Sequence, residues 1–275
     1  MRETRLIAAR TSLGTYQERF ARYADEAAEL ERRQAQGRGL TVEQHTAEMG
    51  REAEYDAARK ARTPLQIRGE IEQQLGGALS EMMFTSFDPR SKAQAAALTG
   101  ARHWVEKYRA AAKDGETRPA AGVIFHGANG CGKTHLAASM LRSVTDPLIT
   151  IRFANVPEFL QEMRDSFADG PGSEGSRWLH KCKLADVLVL DDLGQERATE
   201  WVVDTLGSLI FHRDRKALPT IITTNLGIKE FADRAAGSAN AAGVNLGAIY
   251  SRLRGQTHAN AFVLDGGDHR TEAAV

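Results

Sequence analysis

Residues 122–134 read GVIFHGANGCGKT. A short apolar run, Val123-Ile124-Phe125, enters a glycine-rich loop, and the loop opens onto an amphipathic stretch from His135 to Val144. Gly127, four residues, then Gly132-Lys133-Thr134 satisfies the phosphate-loop pattern in full. The chemistry needs these residue types. Glycines at 127, 130 and 132 let the backbone curl so that successive N–H groups converge on phosphate oxygens. A helix starting near Lys133 adds the positive end of its dipole. Lys133 is predicted to reach the outer phosphates, and Thr134 to offer its hydroxyl to Mg²⁺. Asn129, Cys131 and His135 complete the stretch expected to wrap a nucleotide.

The chain has 275 residues, enough for one sizeable α/β domain plus an appendage. Lys+Arg and Asp+Glu both number 36, so the net charge is zero. That balance excludes a strongly basic nucleic-acid-coating protein but leaves room for a local basic groove. No apolar run approaches the ~18 residues of a membrane span, and the first residues, MRETRLIAARTS, lack a signal-peptide core. A soluble, cytoplasmic protein is expected. Cys131 and Cys182 are the two cysteines, and neither sits in a CxxC pair. A zinc site or disulfide framework is therefore not expected.

Outward from the loop, the chain divides by composition. Residues 1–75 are expected to form a helical N-terminal domain and residues 76–275 the nucleotide-binding one. Tyr16, Phe20, Tyr23, Ala27 and Leu30 fall on one helical face. A second helix is predicted over 41–62, with Thr41 and Gln44 as a capping box, and a third over 66–75. The apolar stripe reads either as an internal helix–helix seam or as a docking face for a partner. Met82, Met83, Phe84 and Phe87 precede Asp88-Pro89 and are expected to pack in the core. A long helix is predicted over 91–112, with Leu98, Ala101, Val105 and Tyr108 on one face.

Past the loop, 148–153 is β-rich and a helix over 158–167 follows. Val187-Leu188-Val189-Leu190 is a four-residue apolar run of the kind buried on both faces of a parallel sheet. It ends in Asp191-Asp192, a Walker B form. Asp191 is expected to hold Mg²⁺, and Asp192 to orient the attacking water. The run 219–224, PTIITT, is a further buried strand tipped by Asn225, which could reach the γ-phosphate or the water. A short helix carrying SRLRG and a last strand, 261–264, close the domain. Strands alternating with helices give a three-layer P-loop fold with a mostly parallel sheet. Periodicity alone says ATPase or GTPase and no more.

The blocks FTSFDPR, NVPEFLQEMRDSF, VLVLDDLG, PTIITTN, SRLRG and GGDHR, in that order, resemble the DnaC/IstB-like branch of the AAA+ ATPases over residues 84–270. That branch contains loaders of DnaB-type replicative helicases and IstB-type ATPases that assist transposases. The resemblance implies ATP and Mg²⁺ as ligands. It implies Asn225 as the sensor-1 residue and Arg252 as an arginine finger acting on a neighbouring subunit, with Arg254 in reserve. Too few residues follow Arg254 for the helical lid that many AAA+ proteins carry, which leaves a sensor-2 role open, with Arg270 as a stand-in. Single-stranded DNA contacts are implied at Arg164, Phe167, Thr199 and Trp201, although Phe167 and Trp201 could equally pack on the sheet. The implied function is ATP-dependent loading of the helicase, with the N-terminal helices docked on it and the ATPase domains in a helical, hexameric assembly. The alternatives are a transposase helper and an ATP-binding scaffold with negligible hydrolysis. Asp192 keeps the scaffold open, because many AAA+ proteins have glutamate there.

Overall fold

In the computed structural model, the apolar run before the phosphate loop is β1 (Val123–Gly127), with Val123 to His126 buried. The structure describes residues 63–265 apart from 115–120, 145–148, 167–173, 197–198, 236–246 and 258–259, together with residues 50, 53, 54, 57 and 61. The stripe from Tyr16 to Leu30 lies outside the described residues, as does most of the helix expected over 41–62. Residues 50, 53, 54 and 57 of that stretch are helical.

The elements then follow in order. They are α1 (Pro64–Leu75), α2 (Lys92–Asp114), β1, α3 (Lys133–Ser143), β2 (Ile151–Asn155), α4 (Val156–Ser166), α5 (Glu174–Leu184) and β3 (Val187–Leu193). α6 (Glu200–Arg215), β4 (Thr220–Thr224), α7 (Ile228–Ala235), α8 (Gly247–Thr257) and β5 (Ala261–Leu264) complete the domain. The five strands form one sheet in the order β2-β3-β4-β1-β5, and every pairing is parallel.

The period of two along each strand sorts its residues between two cores. Val123, Phe125, Val187, Val189 and Ile221 face one side and pack with Leu75, Ala101, Tyr108, Leu136 and Met140 from α1–α3. Ile124, Leu188, Leu190 and Ile222 face the other and pack with Phe159, Leu206, Ile210 and Leu253 from α4, α6 and α8. The result is the three-layer α/β fold read from the sequence. Each buried Val, Leu, Ile, Phe or Met among them contributes roughly 1.5–3 kcal/mol. Among the described residues no helix is long and apolar enough to cross a membrane.

α1 starts at a capping box: Thr63 Oγ1 accepts from Gln66 N (3.3 Å) and Gln66 Oε1 from Thr63 N (2.8 Å). Pro64 fills the first turn, where a missing N–H costs nothing. α1 covers β2 at the sheet edge. Gln74 Oε1 accepts from Phe153 N (2.9 Å), and Leu75 is fully buried in the first core. An edge strand left bare would offer unpaired N–H groups. The chain divides into two units, Met1–Ala61 and Arg62–Val275. Residues 64–75 lie in the second unit, where they pack on the sheet.

Arg213, near the end of α6, has no exposed surface. Its Nη1 donates to the carbonyls of Cys182 (2.9 Å) and Ala185 (2.6 Å), its Nη2 to Pro219 O (2.7 Å) and its Nε to Thr220 Oγ1 (3.1 Å). It ties the end of α5 to the start of β4. The Cys182 thiol beside it is pushed up to about 12 by burial, ahead of the opposing pull of Arg152 and Arg213, so it stays protonated and inert.

Candidate nucleotide-binding site

β1 ends at Gly127, and the chain turns sharply before α3. Gly130 (φ 75°) and Gly132 (φ 94°) lie in the left-handed region, where a side chain is strained. Gly132 is constrained twice, since a Cβ there would sit 2.6 Å from the Phe87 ring. Lys133 is buried, and its Nζ donates to the carbonyls of Gly127 (2.9 Å) and Ala128 (2.7 Å). The ammonium is thus held against the loop by neutral acceptors, which phosphate oxygens would replace with charged ones. Cys131 is turned inward: it is fully buried in the first core and its Sγ donates to Ala128 O (3.0 Å). It supports the loop from behind.

The strap formed by residues 82–90 lies over this loop. His135 Nε2 donates to Met83 O (2.8 Å), and its ring meets Phe87 edge-on at 5.3 Å. Buried Gln94 donates to Cys131 O (3.3 Å) and accepts from Arg90 N (2.7 Å). Met82, Phe84 and Phe87 pack against the core as expected, but Met83 is exposed and contributes its carbonyl rather than its side chain. Met82 and Phe87 also line a cleft of about 500 Å³ together with Asn129, Lys133, Thr134 and Asp192. The size suits a small-molecule ligand.

Asp191 is buried at the end of β3. Its Oδ1 accepts from Thr134 Oγ1 (2.9 Å) and Thr223 Oγ1 (2.7 Å), and the side chain of Asn155, at the tip of β2, also hydrogen-bonds it. Burial pushes its pKa up, and the bonds from Thr223, Thr134 and Asn155 pull it down. Leu190 pairs with Ile222 but Leu193 with Thr224, so β3 carries one extra residue at the aspartate pair. This bulge re-aims the side chains beside it. Asp192 adopts φ 60°, and its N–H donates to Thr223 Oγ1 (2.9 Å). The bulge leaves the Asp192 side chain half-buried on the cleft. Thr134 and Asp191 supply one hydroxyl and one carboxylate at a single point. That is a hard-oxygen set suited to Mg²⁺ shared with phosphates.

Asn225 follows β4 directly. Its Oδ1 is buried without a hydrogen-bond partner among the described residues, so the amide is free to bond a water or, through its NH₂, a phosphate. Beneath it, His126 is buried at the end of β1, and Nδ1 donates to Leu226 O (2.9 Å). Burial depresses the imidazole pKa, ahead of the opposing pull of the Leu226 bond. The unfolded chain therefore takes up a proton that folded His126 refuses, and stability is lost as pH falls below about 6.5. Comparing melting temperatures of wild type and His126→Gln from pH 7.5 to 5 should show a flatter acid limb in the variant. Parallel curves would exclude His126 as the source.

The sequence of residues 112–261 matches the family described as IstB-like ATP binding protein. The chain belongs to this family. Among its relatives, the replicative helicase loader DnaI of Bacillus subtilis is 33% identical over 111 residues, covering 40% of this chain and 35% of DnaI. An ATP-binding protein in an insertion sequence of Mycobacterium tuberculosis is 35% identical over 103 residues, covering 38% and 40%. The chain thus spans well under two thirds of the length of either relative. The crystal structure of the DnaC helicase loader superposes with a TM-score of 0.54 at 24% identity, over 67% of this chain and 97% of that one. That likeness shows a shared fold.

Elsewhere on this IstB-like domain, the structure brings together two residues expected at DNA. The Arg164 guanidinium on α4 lies 5.1 Å from the centre of the Trp201 ring on α6. Arg164 is exposed, and Trp201 is half-buried against the second core. Thr199 is the N-cap of α6, its hydroxyl accepting from Val202 N (3.3 Å). Its oxygen thus already serves the helix. Phe167 and Arg270 lie outside the described residues. Arg252 and Arg254 are exposed on α8, and neither is among the residues lining the cleft of their own chain. Thr223, Asn155, Gln94 and His126 support the site without having been singled out from the sequence.

Proposed function

We propose that this IstB-like protein is an ATP-dependent loader of a DnaB-type replicative helicase onto single-stranded DNA. The observation that carries the reading is the Arg164–Trp201 pair. A cation that tracks a phosphate backbone sits against an aromatic body that can take unstacked bases, the combination that suits single strands. The DnaI relative supports the helicase as partner. Residues 1–75, or the part of them before α1, would dock on the helicase, and the ATPase domains would assemble in a helical, hexameric arrangement in the cytoplasm. Within each site Lys133 and the loop N–H groups would bind the phosphates of ATP, and Thr134 and Asp191 would hold Mg²⁺. The metal supplies charge neutralisation at the phosphates. Asp192 would orient the attacking water, Asn225 would bond it or the γ-phosphate, and Arg252 would enter from the neighbouring subunit.

A second reading, a transposase helper, is favoured by the insertion-sequence relative. Fluorescence anisotropy with ATP separates the two. The full chain should bind an oligo(dT) strand more tightly than a duplex of equal length. Arg164→Ala should weaken strand binding and lower its salt slope by about one. Preference for duplex would sink the loader in favour of the helper. Capture of a DnaB-type helicase by the full chain is the matching test of the partner.

A further inference from the structure

We propose that Phe211 and Asp214 are positioning residues that seat the Arg252 guanidinium for a neighbouring subunit's nucleotide. The proposal rests on the reading of Arg252 as a finger acting in trans. The Arg252 side chain is 44% exposed, yet three groups hold it. Its Cζ lies 4.0 Å from the centre of the Phe211 ring. Its Nε is 3.7 Å from Asp214 Oδ2, and its Nη1 donates to Ala248 O (3.3 Å), one turn back on α8. Asp214 is itself held by Gln256 Nε2, which donates to its Oδ1 (3.2 Å). Phe211 and Asp214 both belong to α6, and Arg252 and Gln256 to α8. Both helices are anchored in one core through Leu206, Ile210, Ile249 and Leu253.

The geometry of the hold matters more than its strength. A half-exposed ion pair at this distance adds little to stability. Stacking, however, uses the face of the guanidinium plane and leaves its N–H edge for hydrogen bonds. Asp214 takes the Nε side. No hydrogen bond from Nη2 is found among the described residues, so that end of the fork is left for an acceptor. An arginine loose in solvent would lose its rotamer freedom when a phosphate captured it. One already stacked and tethered loses less, which is what preorganisation for a developing charge requires.

The test is steady-state ATP turnover by the full chain with Mg²⁺, saturating oligo(dT) and protein concentrations spanning assembly. Phe211→Leu should lower kcat about three- to tenfold, the worth of a partly exposed cation–π contact, with KM for ATP and the melting temperature held. Phe211→Tyr, which keeps the ring, should restore kcat. Asp214→Asn should lower kcat about two- to fivefold, within the range of an exposed ion pair. Wild-type kcat in both Phe211→Leu and Asp214→Asn, with Arg252→Ala strongly impaired, would overturn the seat and spare the finger. Wild-type kcat in Arg252→Ala would overturn the finger and the seat with it. A rise in kcat for Asp214→Asn would mean that the contact restrains the arginine, and a loss in Phe211→Leu not restored by Tyr would mean that the ring only packs. Either result overturns the proposal.

Discussion

Replacing Lys133 with alanine is expected to weaken ATP binding by about 10²–10⁴-fold. The ammonium would bridge two phosphate groups, and each hydrogen bond to a charged group contributes about 1.5–3 kcal/mol. In the described structure its Nζ already spans the carbonyls of Gly127 and Ala128 at 2.9 and 2.7 Å, so it needs no refolding to meet a ligand, only an exchange of neutral acceptors for charged ones. Truncation also leaves those two carbonyls short of a donor, but they lie at the mouth of the loop, where water can replace it. The fold should therefore survive. Titration with a fluorescent ATP analogue reads the affinity, and a melting curve without nucleotide reads the fold. Near-wild-type affinity with an intact melt would mean that the loop binds something other than a polyphosphate.

The second large effect is on stability and lies away from the cleft. Arg213→Met should destabilise the domain by about 3–5 kcal/mol, because it removes several charge-assisted hydrogen bonds and strands buried acceptors. The carbonyls of Cys182, Ala185 and Pro219 would each lose their Arg213 donor where water does not reach. For a domain of this size that corresponds to a melting temperature lower by about 10 °C. Arg213→Lys should recover part of the loss, since an ammonium keeps the charge but cannot fork to both α5 and β4. Thermal unfolding of the two variants measures this. Equal melting temperatures for wild type and Arg213→Met would show that the carbonyls find other donors.

Both residues look alike as letters and differ in legibility. Lys133 sits in a pattern whose every member has a chemical reason, so its place and partner are readable. Arg213 is one charge in the run His212-Arg213-Asp214-Arg215-Lys216, where four of the five residues are charged at neutral pH. Arg213 has no exposed surface while Asp214, Arg215 and Lys216 are exposed. Only the turn of α6 over the start of β4 separates them. α7 is not legible in the sequence because eight residues give too short a periodicity. Thr223 and Thr224 are a sharper case. They are adjacent and identical, yet Thr223 bonds Asp191 and Asp192 while Thr224 bonds Leu193 O (2.6 Å). Alternation along the strand sends them to opposite faces, and strand order and the bulge decide which meets the aspartates.

The stretch GVIFHGANGCGKT, the apolar run ending in Asp191-Asp192 and the alternation of strands and helices determined the fold class and the core of the site by themselves. Those features are local: dihedral freedom at glycine, hydrogen-bonding capacity and apolar run length are properties of neighbours in the chain. Tertiary structure alone decided the rest. It set the sheet order, the cover that α1 provides for β2 and the role of Thr223. It also set the meeting of Arg164 with Trp201 and of Arg252 with Phe211 and Asp214. Each of these joins residues far apart in sequence. What brings them together is the burial of two faces of one sheet, which no single stretch of sequence contains.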